Sequence, residues 1–339
     1  MEDIVLFLKY NFHKAILEPV SKCLIELNIP HTLTGKRHLV YDHFDKTKKK
    51  FKIIFIADEW TNLFRDQAEI LIAIGHSPAG KNTTFDIKNK GADYIFAFSQ
   101  YYKTEYLRRG VVPKKEIIVT GNPAADRIFN KRWNRESWWY QDALKRKLLQ
   151  VNLLFAPTYN RDLSLIDELI RAEKESKFFE KLFSDPMIRY RIAFKGHPVL
   201  NKKYPQQVEE IKKIESKYGQ DLFYYHEDSH GDITDAILWS SLIVGDSSGA
   251  ILLGVAGDKP IFAFNNPNRE RSEYYDFLAP EWSLRDKFAT SFTSFDDLIN
   301  LIHGPDFKKE SRTEVKHLLY GEHQGGAAFQ IANYIKNLL

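Results

Sequence analysis

The sequence predicts an α/β protein with two parallel sheets, each covered by helices on both faces. Short, fully apolar runs alternate with longer amphipathic segments along most of the chain, a pattern typical of buried parallel strands joined by helices. The alternation stops in the basic, tryptophan-rich segment 131–150 and then starts again. At 339 residues the chain is also longer than one hydrophobic core usually organises. We therefore expect two Rossmann-like domains, with the break in this segment and a ligand cleft between them.

The predicted elements form two arrays of similar size. The strands before residue 131 are the apolar runs 4–8, 51–57, 70–75, 92–99 and 116–121, with helices over 13–28 and 100–110. The later strands are 152–158, 190–198, 221–226, 242–249 with its terminal turn, and 259–265. Helices are predicted here over 162–182, 233–241, 250–257 and 327–339.

Composition excludes several classes of protein. An aromatic content of 14% argues against a disordered chain. A formal net charge of +4 suits a phosphorylated ligand or an anionic membrane surface but is too weak to indicate nucleic-acid binding. The single cysteine, Cys23, excludes an intramolecular disulfide and a cysteine-based zinc site, and we expect neither a metal nor a cofactor.

The first residues do not read as a signal peptide, because no small-residue cleavage site follows the short apolar run. No stretch approaches the ~18 apolar residues of a membrane span. The expected location is therefore the cytoplasm.

Polar and small residues follow five of the predicted strands. These segments are 75–81, 120–123, 156–159, 195–198 and 246–249. Because ligands of parallel sheets bind outside the carboxyl ends of the strands, all five are expected to face the cleft, with Asn122 and Thr158 among their polar side chains. The Gly-rich dinucleotide fingerprint is absent, which disfavours a dehydrogenase.

The turn Asp246-Ser247-Ser248-Gly249 joins a strand to an apolar helix. Small residues allow close approach of a ligand to the backbone, and helix amides with serine hydroxyls can donate to phosphate oxygens. Plain helix capping by Asp246 or Ser247 is the alternative. The presence of the neighbouring motifs favours phosphate binding.

Two histidines lie in small-residue turns after apolar strands, and the other nine carry no predicted role. His197, with Lys195, could neutralise charge that builds on a leaving phosphate. His76 is the candidate general base, because an imidazole titrates near neutral pH.

Arg269 and Arg271 follow the strand at 259–265. Arginine is the best bidentate partner for phosphate oxygens, so both are candidate phosphate ligands. A solvated charged loop is the alternative.

The second half resembles a known family. The segment LIVGDSSGAILLGVAGDKPIFAF, preceded by APT at 156–158 and KGHP at 195–198 and followed by an arginine-bearing loop, is similar in order and spacing to the CDP-glycerol glycerophosphotransferases of teichoic acid and capsule assembly. The resemblance covers roughly residues 70–335 and extends to GHSPAGK at 75–81 and TGNPAAD at 120–126. The sequence departs from the family pattern at the residues after Asp246 and His76.

This resemblance implies a GT-B fold, with an acceptor-side domain over 1–135, a nucleotide-donor domain over 136–326 and a final helix, 327–339, that packs back toward the first domain. It implies that His76 is the base, that His197 binds donor phosphate and that Ser247 and Ser248 hold the phosphates. The implied reaction transfers a polyol phosphate from a nucleotide-diphosphate donor, CDP-linked, to a hydroxyl acceptor. A glycosyltransferase of the same fold, a UDP-N-acetylglucosamine 2-epimerase and a non-catalytic nucleotide-binding module are the alternatives.

Segment 131–140 holds three of the six tryptophans among basic residues. Tryptophan favours the lipid–water boundary and basic side chains favour anionic head groups. With the lipid-linked glycan acceptor that the resemblance implies, this favours a peripheral position on the inner face of the cell membrane. The alternative is that these aromatic side chains only seal the protein interior.

Overall fold

A computed structural model describes residues 3–35, 50–57, 61–80, 85, 90–146, 149–227 and 232–339. The chain divides into two compact units, Met1–Asn130 with His317–Leu339, and Lys131–Lys316. The division falls at residues 130 and 131, slightly before the predicted boundary at 135. The tryptophan-rich segment 131–150 therefore belongs to the second unit.

The first unit contains a six-stranded parallel sheet, within the described residues, of order β2-β1-β3-β4-β5-β6. Its strands are β1 (Ile4–Phe7), β2 (Thr32–Thr34), β3 (Phe51–Ile56), β4 (Ala68–Ile74), β5 (Tyr94–Ala97) and β6 (Glu116–Val119). Its helices up to residue 130 are α1 (Lys14–Glu26), α2 (Thr61–Phe64), α3 (Gln100–Arg108) and α4 (Pro123–Phe129).

The second unit contains a parallel sheet of order β12-β11-β10-β7-β8-β9. Its strands are β7 (Gln150–Ala156), β8 (Arg189–Phe194), β9 (Phe223–Tyr225), β10 (Leu242–Gly245), β11 (Ile261–Phe264) and β12 (Thr290–Phe292). Its helices are α5 (Trp138–Ala143), α6 (Ile166–Ser176), α7 (Phe178–Phe183), α8 (Leu200–Lys203), α9 (Pro205–Tyr218), α10 (Thr234–Trp239), α11 (Gly249–Ala256), α12 (Pro280–Ser283), α13 (Arg285–Phe288) and α14 (Phe295–His303). Helix α15 (Lys309–Tyr320) begins in the second unit and ends in the first, and α16 (Ala327–Asn337) belongs to the first unit.

The apolar runs form central strands because both of their faces are buried. Ile54 of β3 pairs with Val5 on one side and with Leu71 on the other, and all three side chains are buried. Continuous apolar strands of this kind are expected wherever helices cover both faces of a parallel sheet. The predicted strands are thus confirmed as strands of two parallel sheets.

The long helix predicted over 162–182 is wrong. Helix α6 ends at Ser176, Lys177 adopts a left-handed conformation with φ of 53°, and α7 begins at Phe178. The break allows Phe178 and Phe179 to turn inward onto Phe155 of β7, with ring centroids 6.4 and 6.0 Å from that ring. Aromatic packing therefore outweighs continuation of one helix.

The last helix, α16, lies in the first unit. The Asp126 carboxylate of α4 accepts hydrogen bonds from the amides of Ala327 and Ala328, at 3.0 and 2.8 Å. Gly121 has a φ of +87°, and a Cβ at this position would lie 2.6 Å from that of Ala327. The TGNPAAD segment thus fixes the start of α16 in two ways: Gly121 allows its backbone to lie close to Ala327, and Asp126 caps the first amides of the helix.

The tryptophans of 131–140 pack within the second unit. Trp139 is buried, and the half-buried Trp138 stacks on Tyr224 of β9 with ring centroids 3.8 Å apart. Trp133 is also half-buried and lies 5.7 Å from the Tyr140 ring. These indoles therefore contribute more to the interior of the unit than to its surface.

Candidate functional site

The second sheet reverses its strand order between β7 and β10. The chain proceeds from β7 outward to β8 and β9, then returns to the other side of β7 with β10. Gly245 and Ala156 pair at the carboxyl ends of these two strands. Such a switch point is where open α/β sheets bind their ligands. The predicted turns at 156–159 and 246–249 lie on either side of it.

Asp246 organises the backbone at this switch point. Its carboxylate is fully buried and accepts hydrogen bonds from the amides of Thr158 at 2.9 and 3.0 Å, Leu165 at 3.2 Å and Ser247 at 2.6 Å. The sequence predicts phosphate binding for this turn as a whole, and within the turn the Asp246 oxygens are engaged with the backbone. Asp246 and the buried Thr158 therefore shape the turn that a ligand would meet.

A buried arginine that the sequence did not single out supports the same turn. Arg285 donates to the carbonyl oxygen of Asp246 at 2.6 Å and stacks on Trp282, 3.7 Å from the ring centroid. Burial lowers the pKa of its guanidinium to about 10, so it remains a cation at neutral pH. The positive charge of Arg285 lies close beneath the predicted phosphate site.

The serines of the turn have different environments. Ser248 precedes α11, and its hydroxyl donates to the Ala156 carbonyl at 2.7 Å. Ser247 is fully buried, and its hydroxyl has no hydrogen-bond partner within the part of the chain that the structure describes. A Cβ on Gly245 would lie 2.5 Å from Ile251, so glycine is needed for α11, which begins at Gly249, to lie close to β10. The available donors are therefore the first amides of α11 and the Ser247 hydroxyl.

The turn after β8 adds two basic side chains. The Lys195 amide donates to the Phe155 carbonyl at 2.8 Å, which places the start of this turn beside β7. The Nδ1 atom of His197 accepts a hydrogen bond from the Val199 amide at 3.3 Å, so the neutral ring carries its proton on Nε2. The His197 ring lies 4.6 Å from that of Tyr159. His197 is thus oriented by its backbone and by an aromatic neighbour.

The arginine loop is attached to the same edge of the second sheet. Arg269 and Arg271 lie on a single turn of 3-10 helix after β11. The Asn266 side chain donates to the Ser164 carbonyl at 2.9 Å and ties this loop to the one after β7. Arg269 is half-buried, whereas Arg271 is exposed. The structure therefore places the predicted donor residues of the second unit in segments that directly follow the carboxyl ends of its strands.

The first unit holds the remaining candidates at separate strands. His76 follows β4 and is half-buried. Asn122 follows β6, with β5 between the two strands, and its side chain caps α4 by accepting from the Ala124 amide at 3.0 Å. The Asn122 side chain therefore caps a helix. Of the two predicted site residues of this unit, His76 is the one whose side chain can act as an acid or base.

No sequence pattern singles out His13, which is a neighbour of His76 in the structure. The two imidazole centroids are 5.9 Å apart, and His13 is fully buried. Burial, then the proximity of His76 and Lys9, lowers the pKa of His13 to about 2. His13 is therefore neutral throughout the physiological range.

Two Rossmann-like units, each with a six-stranded parallel sheet among the described residues, define the GT-B fold class. Solved structures agree with this fold. The wall teichoic acid polymerase TagF superposes with a TM-score of 0.69 at 14% identity, and a TagF variant soaked with CDPG with 0.67 at 15%, each comparison covering 99% of this chain and 88% of the other. The S. aureus MnaA–UDP structure gives 0.66 at 15%, covering 100% of this chain and 98% of that one.

The chain belongs to the CDP-glycerol:poly(glycerophosphate) glycerophosphotransferase family, which it matches over residues 45–337. It is therefore a transferase of glycerol phosphate that uses a nucleotide-linked donor, and the family match decides against the epimerase and glycosyltransferase alternatives. A search of curated protein sequences found no match. Among the described residues, none of the helices is long and apolar enough to span a membrane.

Proposed function

We propose that the second unit binds the diphosphate of CDP-glycerol at the start of α11, and that His76 of the first unit is the base for the acceptor hydroxyl. The observation that carries the donor site is the buried Ser247 hydroxyl beside the first amides of α11, at the switch point of the sheet. Burying a donor without a partner costs about 1–3 kcal/mol, which a phosphate oxygen would recover.

The basic side chains supply the charge that the diphosphate requires. His197 would donate from Nε2, and Lys195, Arg269 and Arg271 would add positive charge, with Arg285 beneath the turn. In the proposed reaction the acceptor oxygen forms a bond to the glycerol-bearing phosphorus. The bond from that phosphorus to the bridging oxygen breaks, and CMP leaves with the electron pair. His76 takes the proton of the acceptor hydroxyl.

Calorimetric titration with CDP-glycerol tests the donor site. We expect Ser247→Ala and His197→Ala each to weaken binding by about 5- to 100-fold, because each removes a hydrogen bond to a charged oxygen. Ser164→Ala is the control, since it removes a hydroxyl that accepts from the Ile166 amide and keeps the backbone carbonyl that contacts the arginine loop. Unchanged affinity in both variants would place the donor elsewhere. UDP-N-acetylglucosamine, tested in parallel, should bind more weakly.

For the acceptor, we propose a lipid-linked glycan reached at an anionic membrane surface. The tryptophans near residue 135 are largely packed, so the support comes from Lys131, Arg132 and Arg135, which are exposed. Replacing all three with glutamine removes their charges. We expect this variant to be released from anionic vesicles, since each basic residue contributes about 1 kcal/mol near such a surface. Trp138→Phe should leave vesicle binding unchanged. Equal binding of the glutamine variant would exclude this segment as the contact.

A further inference from the structure

The loop after β1 lies at the switch point of the first sheet. The chain passes from β1 outward to β2 on one side and then to β3 on the other, so the carboxyl ends of β1 and β3 form the reversal point of this sheet. Residues 8–13 follow β1 directly and lead into α1. The position that binds a ligand in such sheets is thus occupied here by a short aromatic segment.

Four rings of this part of the first unit form one cluster. The His76 ring lies 5.4 Å from Phe12 and 5.9 Å from His13, and the two imidazole planes are inclined by 33°. Phe12 and His13 are themselves 4.8 Å apart, and Tyr10 lies 5.5 Å from His13. His76 is therefore held on one side by aromatic rings of the β1–α1 segment.

The buried position in this cluster is held by an imidazole, a polar ring, and not by a phenyl ring. His13 is fully buried, and burying a polar ring costs free energy that a phenyl ring of similar size would not. A direct N–H···N bond between two imidazoles places their centroids about 5 Å apart, and catalytic hydrogen bonds often tighten only when substrate binds. The observed separation of 5.9 Å is close to that distance.

We propose that His13 is a positioning residue for His76, a neutral imidazole that orients the His76 ring and accepts a hydrogen bond from it once His76 has taken the acceptor proton. Lys9 and Tyr10, on the same segment, are also titratable groups close to His13. The inference depends on the proposed role of His76 as the base.

The test is His13→Phe, which retains a buried aromatic ring and removes both ring nitrogens. We expect kcat to fall about 10- to 100-fold with an unchanged KM for CDP-glycerol, because orientation of the base is lost and the donor site is untouched. The acidic limb of the kcat–pH profile should move to lower pH, because phenyl cannot accept a hydrogen bond from protonated His76. His31→Phe is the matched control, since His31 precedes β2 at the opposite end of the strands and bonds to Ser21 at 2.6 Å.

A double-mutant cycle separates this inference from the proposed function. If His13 acts through His76, His13→Phe should cause no further loss of kcat in the His76→Ala background. A thermal midpoint near that of the parent would show that both variants fold. Unchanged kcat and pH profile in folded His13→Phe would overturn the inference alone. Normal turnover of His76→Ala would instead overturn the proposed base.

Discussion

The switch points of the two sheets differ in the groups that surround them: backbone amides and charged side chains in the second unit, and packed aromatic rings in the first. In the second unit, the buried Asp246 carboxylate accepts hydrogen bonds from backbone amides and so connects its own turn to the loop after β7, with cationic side chains on the surrounding loops. In the first unit, the corresponding position holds packed rings around His76. A fixed array of amides suits an anion that must be held, whereas a packed imidazole suits a proton that must be moved. We therefore expect the second site to govern donor affinity and the first to govern turnover.

Substitution of His76 is expected to have the largest effect and to separate turnover from donor affinity most directly. His76→Ala should lower turnover by ~10²–10⁴, the usual contribution of a positioned general base, while the affinity for CDP-glycerol stays within about twofold. Steady-state kinetics and calorimetry on one preparation measure both quantities. His31→Ala serves as the control within the same unit. Losses of equal size in affinity and turnover would make His76 a binding residue and would remove the distinction between the two sites.

Removal of Asp246 tests whether the second site depends on its buried carboxylate. Asp246→Ala leaves the amides of Thr158, Leu165 and Ser247 without their acceptor and removes a carboxylate charge close to the Arg285 guanidinium, so we expect a loss of about 3–5 kcal/mol in the free energy of unfolding of the second unit. Urea unfolding followed by tryptophan fluorescence reports on this unit, which holds Trp139 and Trp239.

The matched control for Asp246 is Asp93 in the first unit. Asp93 is also a buried carboxylate, which accepts from the Leu71 amide at 2.7 Å and pairs with Arg65. Asp93→Ala should destabilise the first unit and leave donor affinity unchanged. A loss below about 1 kcal/mol for Asp246→Ala would contradict the view that the turn depends on this carboxylate.

Acid should weaken the first unit through His13. Its pKa is about 2 in the folded protein and about 6.5 when unfolded, so below pH 6.5 only the unfolded chain binds a proton here. Stability should therefore fall with falling pH, by about 2 kcal/mol at pH 5. Hydrogen exchange of β1 and α1 amides at pH 7 and 5 measures this loss. His13→Phe should abolish it; an equal acid sensitivity in parent and variant would assign the loss to other groups.

Local sequence patterns predicted the second site better than the first. The turns of Thr158, His197 and Asp246 are short motifs directly after apolar strands, so topology alone brings them to one edge. Arg285 was missed because its contact with Asp246 joins residues 39 apart in the chain. No local pattern marks a buried arginine that is satisfied only after folding.

The first site illustrates the same limit. His76 stands in a recognisable small-residue turn, whereas His13 lies within what reads as an ordinary amphipathic helix start. Only the order of β1, β3 and β4 brings the two rings together. The break at Lys177 was missed because the amphipathic pattern continues across it. The edge strands β2 and β12 were missed because their three residues, TLT and TSF, include polar side chains and form no apolar run, unlike the FYY of β9.

Because Asp126 caps α16, the first unit is completed by a segment that the ribosome makes after the whole of the second unit. Ile331 and Ile335 of α16 are fully buried in the first unit, so their apolar partners stay exposed in the nascent chain until this helix emerges. The second unit is continuous in sequence and can finish folding earlier, although its first strand is encoded later. The order of folding would then be the reverse of the order of synthesis. Such a delay leaves an incomplete first unit open to chaperones during translation.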